Sequence, residues 1–159
     1  MNRASTAPRH EITLQRAATG GPRRAAITQW ANAALAQRRQ AAAVCLRIVD
    51  ATEARALNRR YRGRRYAPNV LSFPAGAMPR GPLPLLGDIV LCAPVINEEA
   101  HAQGKPRVAH WAHMVVHGVL HLCGFDHVEP TQATRMERRE ISILRELGYP
   151  DPYLTADER

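Results

Sequence analysis

The apolar positions of this 159-residue chain change period several times, and each change marks an element. "HEITLQRA" (residues 10–17) alternates closely enough to read as a half-buried strand. Gly20, Gly21 and Pro22 then open a helix over "RRAAITQWANAALAQRR" (23–39), with Pro22 near its first position. "AAVCLRIVD" (42–50) reads as a second strand. Asp50 is placed to cap a helix over "ATEARALNRRYR" (51–62), Glu53 stands at the capping-box position, and Gly63 ends it. "NVLSF" (69–73) is a short strand stopped by Pro74, and the Pro/Gly-rich stretch 74–84 is expected to be an exposed, mobile loop. "LGDIVLCA" (86–93) gives a fourth strand, and Pro94 with "VINEEAHAQ" (95–103) starts another helix. After Gly104 and Pro106, "RVAHWAHMVVHGVLHLCG" (107–124) is apolar on most sides, the pattern of a largely buried helix ending at Gly124. "TQATRMERREISILRELG" (131–148) is an amphipathic helix that should turn Ile141, Leu144 and Leu147 inward.

Runs of strand and helix in this order predict an α+β fold: a small mixed four-stranded sheet packed with about five helices, the histidine-rich one central and buried. Neither an internal repeat nor a composition shift marks a boundary. The expected unit is one domain over residues 1–159, with 1–9 and 154–159 flexible. An apolar content of 45% is ordinary for a globular chain of this length. No apolar run approaches the roughly 18 residues needed to cross a bilayer, so no membrane role is expected. "MNRASTAPRHEITLQ" lacks the apolar stretch of a secretory signal, and Glu11 with the strand-like "EITLQ" argues against an organelle transit peptide. Three scattered cysteines, Cys45, Cys92 and Cys123, without C-x-x-C spacing, fit small buried side chains in a reducing compartment. The expected location is the cytoplasm.

A formal net charge of +8 suggests a polyanionic partner. Nearly all of the positive charge is arginine, so coding bias rivals that reading, and the distribution of charge says more than its total. Arg55, Arg59, Arg60, Arg62, Arg64 and Arg65 crowd into "RALNRRYRGRR". Cations suit the C-terminal end of a helix dipole, but arginines on two or more helix faces exceed what the dipole needs. A nucleic-acid surface is the favoured expectation.

The densest chemistry lies in "HGVLHLCGFDH" (117–127). Residues four apart lie one above the other on a helix, so His117 and His121 can grip one ion. Gly124 lets the chain reverse, and His127 can swing back as a third ligand. The spacing H-x-x-x-H-x-x-G-x-x-H is that of the metzincin zinc motif, except that Gly118 stands where those proteins carry a glutamate. A lone histidine on an apolar helix is usually a satisfied core residue; three at this spacing make a metal site. Three imidazoles with an open fourth position suit a catalytic Zn2+, able to acidify bound water or polarise a phosphoryl or carbonyl oxygen. Ligand type alone leaves nickel or iron open. His113, one turn earlier, is too far for direct bonding; it either supports the ligands from behind, faces substrate, or packs with a backbone partner. Asp126 either supports the ligands as a hydrogen-bonded carboxylate or simply forms a turn.

At this point the chain resembles the YbeY-type bacterial endoribonucleases, ribosomal RNA maturation factors whose signature H-G-x-L-H-L-x-G-[YF]-D-H is matched in full by residues 117–127. "LNRRYRGRRYAPNVLSFP" (57–74) resembles the family's L-N-x-x-Y-R-x-K-D-x-x-T-[DN]-V-L-S-F-P. "LGDIVLCAPVINEEA" (86–100) and "RMERREISILRELGYPDPY" resemble later blocks, so the likeness spans roughly residues 45–153. It implies a zinc-dependent endoribonuclease specific for single strands, acting in small-subunit (16S) ribosomal RNA 3′-end maturation and ribosome quality control. Its partners would be single-stranded ribosomal RNA and the small ribosomal subunit or its proteins. His117, His121 and His127 would be the metal ligands and Arg62 the catalytic basic residue. The family's K-D is Arg64-Arg65 here and its threonine is Pro68, which unsettles substrate contacts in that loop but leaves the metal motif untouched. An alternative is a ribosome-binding assembly factor with a structural metal, which the arginine cluster serves equally well. A metalloprotease is disfavoured by Gly118.

Overall fold

The computed structural model describes residues 8–76 and 82–158. The expected flexible N-terminus and the centre of the 74–84 loop, residues 1–7 and 77–81, fall outside them. In chain order the elements are β1 (Glu11–Arg16), α1 (Arg24–Leu35), β2 (Ala43–Val49), α2 (Ala51–Arg62), β3 (Val70–Pro74), β4 (Leu85–Cys92), α3 (Ala93–Ala102), α4 (Arg107–Leu122) and α5 (Pro130–Glu146), with a final 3-10 turn over Ala156–Glu158. The α+β expectation holds: five helices flank one mixed sheet of order β1-β2-β4-β3. β1, β2 and β4 run parallel, and β3 pairs antiparallel with β4 as an edge strand.

Alternation along the strands splits the interior in two. Val44, Leu46 and Ile48 of β2 and Ile89 and Leu91 of β4 point into the large core, where they meet Ile27, Trp30 and Leu35 of α1 and Trp111, Val115 and Val119 of α4. Val49, Leu71, Val90 and Cys92 face the other way, toward Ala54 of α2. Parallel strands need both faces covered, which explains why β2 and β4 are so apolar. Helix α4 buries ten of its residues, His110, His113 and Gly118 among them, and so forms the central element the sequence pattern anticipated. No helix among the described residues is long and apolar enough to cross a membrane.

Three details depart from expectation. Helix α1 stops at Leu35 rather than running to residue 39, because "QRRQ" (37–40) carries nothing to bury and the chain must turn back to β2. Asp50 caps α2 by accepting from the Glu53 amide (2.8 Å), but the Glu53 carboxylate takes a two-pronged bond from Arg47 (2.6 and 2.9 Å) on the outer face of β2. The inward face of α5 is Met136, Glu140, Ile143 and Leu144, with Ile141 and Leu147 only half-buried.

Candidate metal centre

Helix α4 ends in a Schellman motif: Gly124 adopts φ +98°, its amide donates to the His121 carbonyl (3.1 Å), and the Phe125 amide donates to that of Leu120 (3.1 Å). This turn sends the chain back over the last helical turn. There the Asp126 carboxylate accepts from the His127 amide (2.7 Å) and fixes where the third histidine stands. This bond is the contact Asp126 makes with the candidate ligand segment, and it is compatible with both of its expected roles.

The motif brings the three histidines together. Ring centroids lie 4.9 Å (His117–His121), 5.0 Å (His121–His127) and 5.7 Å (His117–His127) apart. One ligand nitrogen from each falls within 4.8 Å of the others, and His121 Nε2 lies 3.1 Å from His127 Nδ1. Tetrahedral zinc with Zn–N bonds of about 2.0–2.1 Å places its ligand atoms roughly 3.3 Å apart, so His121 and His127 already stand at that spacing and His117 is near enough to complete the set. Burial, aided by repulsion from His117 and His127, lowers the His121 pKa to about 4, so its ring is a neutral donor at ordinary pH.

Behind His117 lies a residue that the sequence reading missed. Glu140 of α5 is 1% exposed, and its carboxylate accepts from His117 Nδ1 (3.0 Å), from His113 Nε2, and from the Tyr153 hydroxyl (2.8 Å). Burial alone would raise this carboxyl, yet the hydrogen bonds from His113 and His117 prevail and hold it at about 2. Burial lowers the His113 pKa against the pull of Glu140, and its Nδ1 has no hydrogen-bond partner among the described residues, as suits a neutral ring protonated on Nε2. Burial and the Glu140 charge push the Tyr153 hydroxyl well up. His113 thus has a carboxylate partner rather than a backbone one, and it reaches His117 through that carboxylate. A glutamate inside the apolar stripe Met136–Glu140–Ile143–Leu144 was the available signal: an acid at a core position needs a partner.

The histidines open onto a groove of about 1070 Å3, larger than the roughly 300–1,000 Å3 of small-molecule sites. The end of α2 and the run into β3 also line it. Arg62 and Arg64 line it, as does Tyr66, which is 59% exposed. Arg62 Nη2 donates to the Ser72 carbonyl (2.8 Å), and the guanidinium lies 5.7 Å from the Phe73 ring. Buried Asn58 donates to the Tyr66 carbonyl (2.8 Å) and shapes that loop. Pro68 also lines the groove, so both departures from the family pattern border the site, the first through Arg64, whereas Arg65 is exposed outside this lining. The six arginines of the cluster are all exposed. Glu99, which also lines the groove, accepts from Asn69 (3.1 and 3.2 Å) and bonds to His110 (3.0 Å).

Gly118 explains how α4 reaches the sheet. A Cβ there would sit 2.8 Å from Ile89 Cγ2 and 3.4 Å from Ser72 Oγ, and that hydroxyl donates to the Gly118 carbonyl (3.1 Å). The helix is too close to β3 and β4 for a side chain at the position where a metzincin has its glutamate.

A family model described as "Endoribonuclease YbeY" matches residues 15–148. The chain is 56% identical over 145 residues to Endoribonuclease YbeY of Methylococcus capsulatus, covering 90% of this chain and 95% of that protein. To the Pseudomonas syringae pv. syringae protein of the same name it is 51% identical over 146 residues, covering 90% and 87%. A Thermotoga maritima protein solved in solution shares the fold, with a TM-score of 0.58 at 20% identity over 90% of this chain and 99% of that one.

Proposed function

This chain belongs to the endoribonuclease YbeY family, and on that premise we propose that it is a zinc-dependent endoribonuclease, specific for single strands, that acts in 3′-end maturation of small-subunit ribosomal RNA and in ribosome quality control. The observation that carries this reading is a wide groove lined both by three metal-competent histidines and by Arg62 and Arg64. Zinc held by His117, His121 and His127 would supply Lewis-acid polarisation of a phosphoryl oxygen. The protein's own groups do the rest. Arg62, oriented by its bond to Ser72 and its place over Phe73, offers its remaining N–H donors to the scissile phosphate and stabilises the charge that builds there. RNA brings its own nucleophile in the 2′-hydroxyl, so the carboxylate that Gly118 excludes is not needed. Tyr66 gives an unpaired base a face on which to stack, worth about 1–3 kcal/mol per base, which favours single strands. Arg64, in the same groove, adds a phosphate contact.

Cleavage of single-stranded RNA by purified protein tests the proposal. His117→Ala is expected to abolish it with the fold retained, and Arg62→Glu to reduce it at least about 100-fold with metal content unchanged. If chelated protein, free of contaminating nuclease, cuts as fast as untreated protein, the metal-dependent reading is wrong. If His117→Ala protein restores ribosomal RNA processing in cells, the non-catalytic assembly-factor reading replaces it.

A further inference from the structure

Glu140 lies on α5, outside the histidine motif and the basic segment, yet its carboxylate meets the ring of His117 directly. We propose that Glu140 is the positioning residue for His117, and that Tyr153 and His113 clamp Glu140 in turn, so that the C-terminal tail is part of the metal centre.

An ionised carboxylate only accepts hydrogen bonds. Its contact with His117 Nδ1 (3.0 Å) therefore puts the ring proton on Nδ1 and the lone pair on Nε2, the nitrogen left for the groove where His121 and His127 converge. The two carboxylate oxygens divide the work. Oε2 takes the Tyr153 hydroxyl (2.8 Å) and His113 Nε2, leaving Oε1 to His117. With one oxygen held twice, the other cannot rotate away from the ligand. Tyr153 is itself fixed by a turn, its amide donating to Asp151 (2.8 Å), and Lys105 Nζ donates to the Pro152 carbonyl (2.6 Å), tying the tail to the start of α4.

The proposal rests on the three histidines binding metal, and the test separates the two. Zinc affinity of the full-length chain is measured by competition with a chromophoric chelator, and the His117 tautomer by nitrogen-15 NMR of the metal-free protein. Wild type is expected to bind zinc and to show an Nδ1-protonated His117. Glu140→Gln, shown folded by near-ultraviolet circular dichroism, is expected to bind zinc roughly 10- to 100-fold more weakly and to populate the Nε2-protonated ring. Tyr153→Phe, which removes one hydroxyl from a partly exposed tail residue, should weaken zinc binding several-fold even if Glu140→Gln proves unfolded. Unchanged affinity and tautomer in Glu140→Gln overturn the role of Glu140, and unchanged affinity in Tyr153→Phe overturns the clamp, with zinc binding by wild type left standing. Absence of zinc binding by wild type, or its persistence in His121→Ala, overturns the metal reading along with this one.

Discussion

Gly118 settles at a single position what separates this site from a zinc protease. Its missing side chain lets α4 rest on Ile89 and Ser72, so the residue is dictated by packing rather than by chemistry. Alanine at this position gains about 1 kcal/mol of helix propensity. It must also push a fully buried β4 side chain, which costs roughly 1–3 kcal/mol. Gly118→Ala is expected to be net destabilising by about 1 kcal/mol in urea denaturation, and Gly118→Glu to fail to fold. At this scale the candidate ligands were legible because all three lie within eleven consecutive residues, where helix period and one glycine turn bring them together. Glu140 was not, because it meets His117 across 23 residues and a helix–helix interface. Its mark in the sequence, an acid on an apolar stripe, shows burial without naming the partner.

Helix α5 shows why element faces are harder to place than elements. Its existence followed from the apolar period, but its rotation was set by the Glu140 bonds to α4, which draw Met136 and Ile143 inward and leave Ile141 at the margin. Two groups near this contact, His121 on α4 and Glu140 on α5, make the fold sensitive to acid. In metal-free protein His121 falls from its ordinary 6.5 to about 4, so between those values the unfolded chain takes up a proton that the folded one refuses, and stability drops as pH falls. Glu140 falls from 4.5 to about 2, so the stability it contributes is complete above 4.5 and is lost as pH descends toward 2. Urea unfolding across this range should show both declines. Glu140→Gln should remove the lower one and leave the upper, and an unaltered lower decline would mean another carboxylate causes it. Zinc should shift the upper decline to lower pH, because it binds only the neutral ring.

For the whole molecule, composition and pattern gave the α+β class and the mixed sheet, but strand order required pairings between distant segments that no local period encodes. The order matters, because it puts β3 at the sheet edge beside the groove. Ladder bonds from the Cys92 amide to the Asn69 carbonyl and from the Ala75 amide to the Leu86 carbonyl fix the antiparallel alternation, and this turns the Ser72 carbonyl outward. That carbonyl is the one Arg62 holds. An open edge is a template for a second chain, and a charged side chain lying across it is a common safeguard. Arg62, bonded to that edge carbonyl, is thus expected to oppose strand-to-strand self-association whatever it does toward RNA. Arg62→Ala should then leave a protein that loses cleavage and also forms dimers or larger species at high concentration in sedimentation velocity runs, while Arg62→Lys restores solubility without restoring full activity. Selection on this one arginine would act through two phenotypes, so an inactive Arg62 variant recovered from cells is expected at lowered soluble abundance as well.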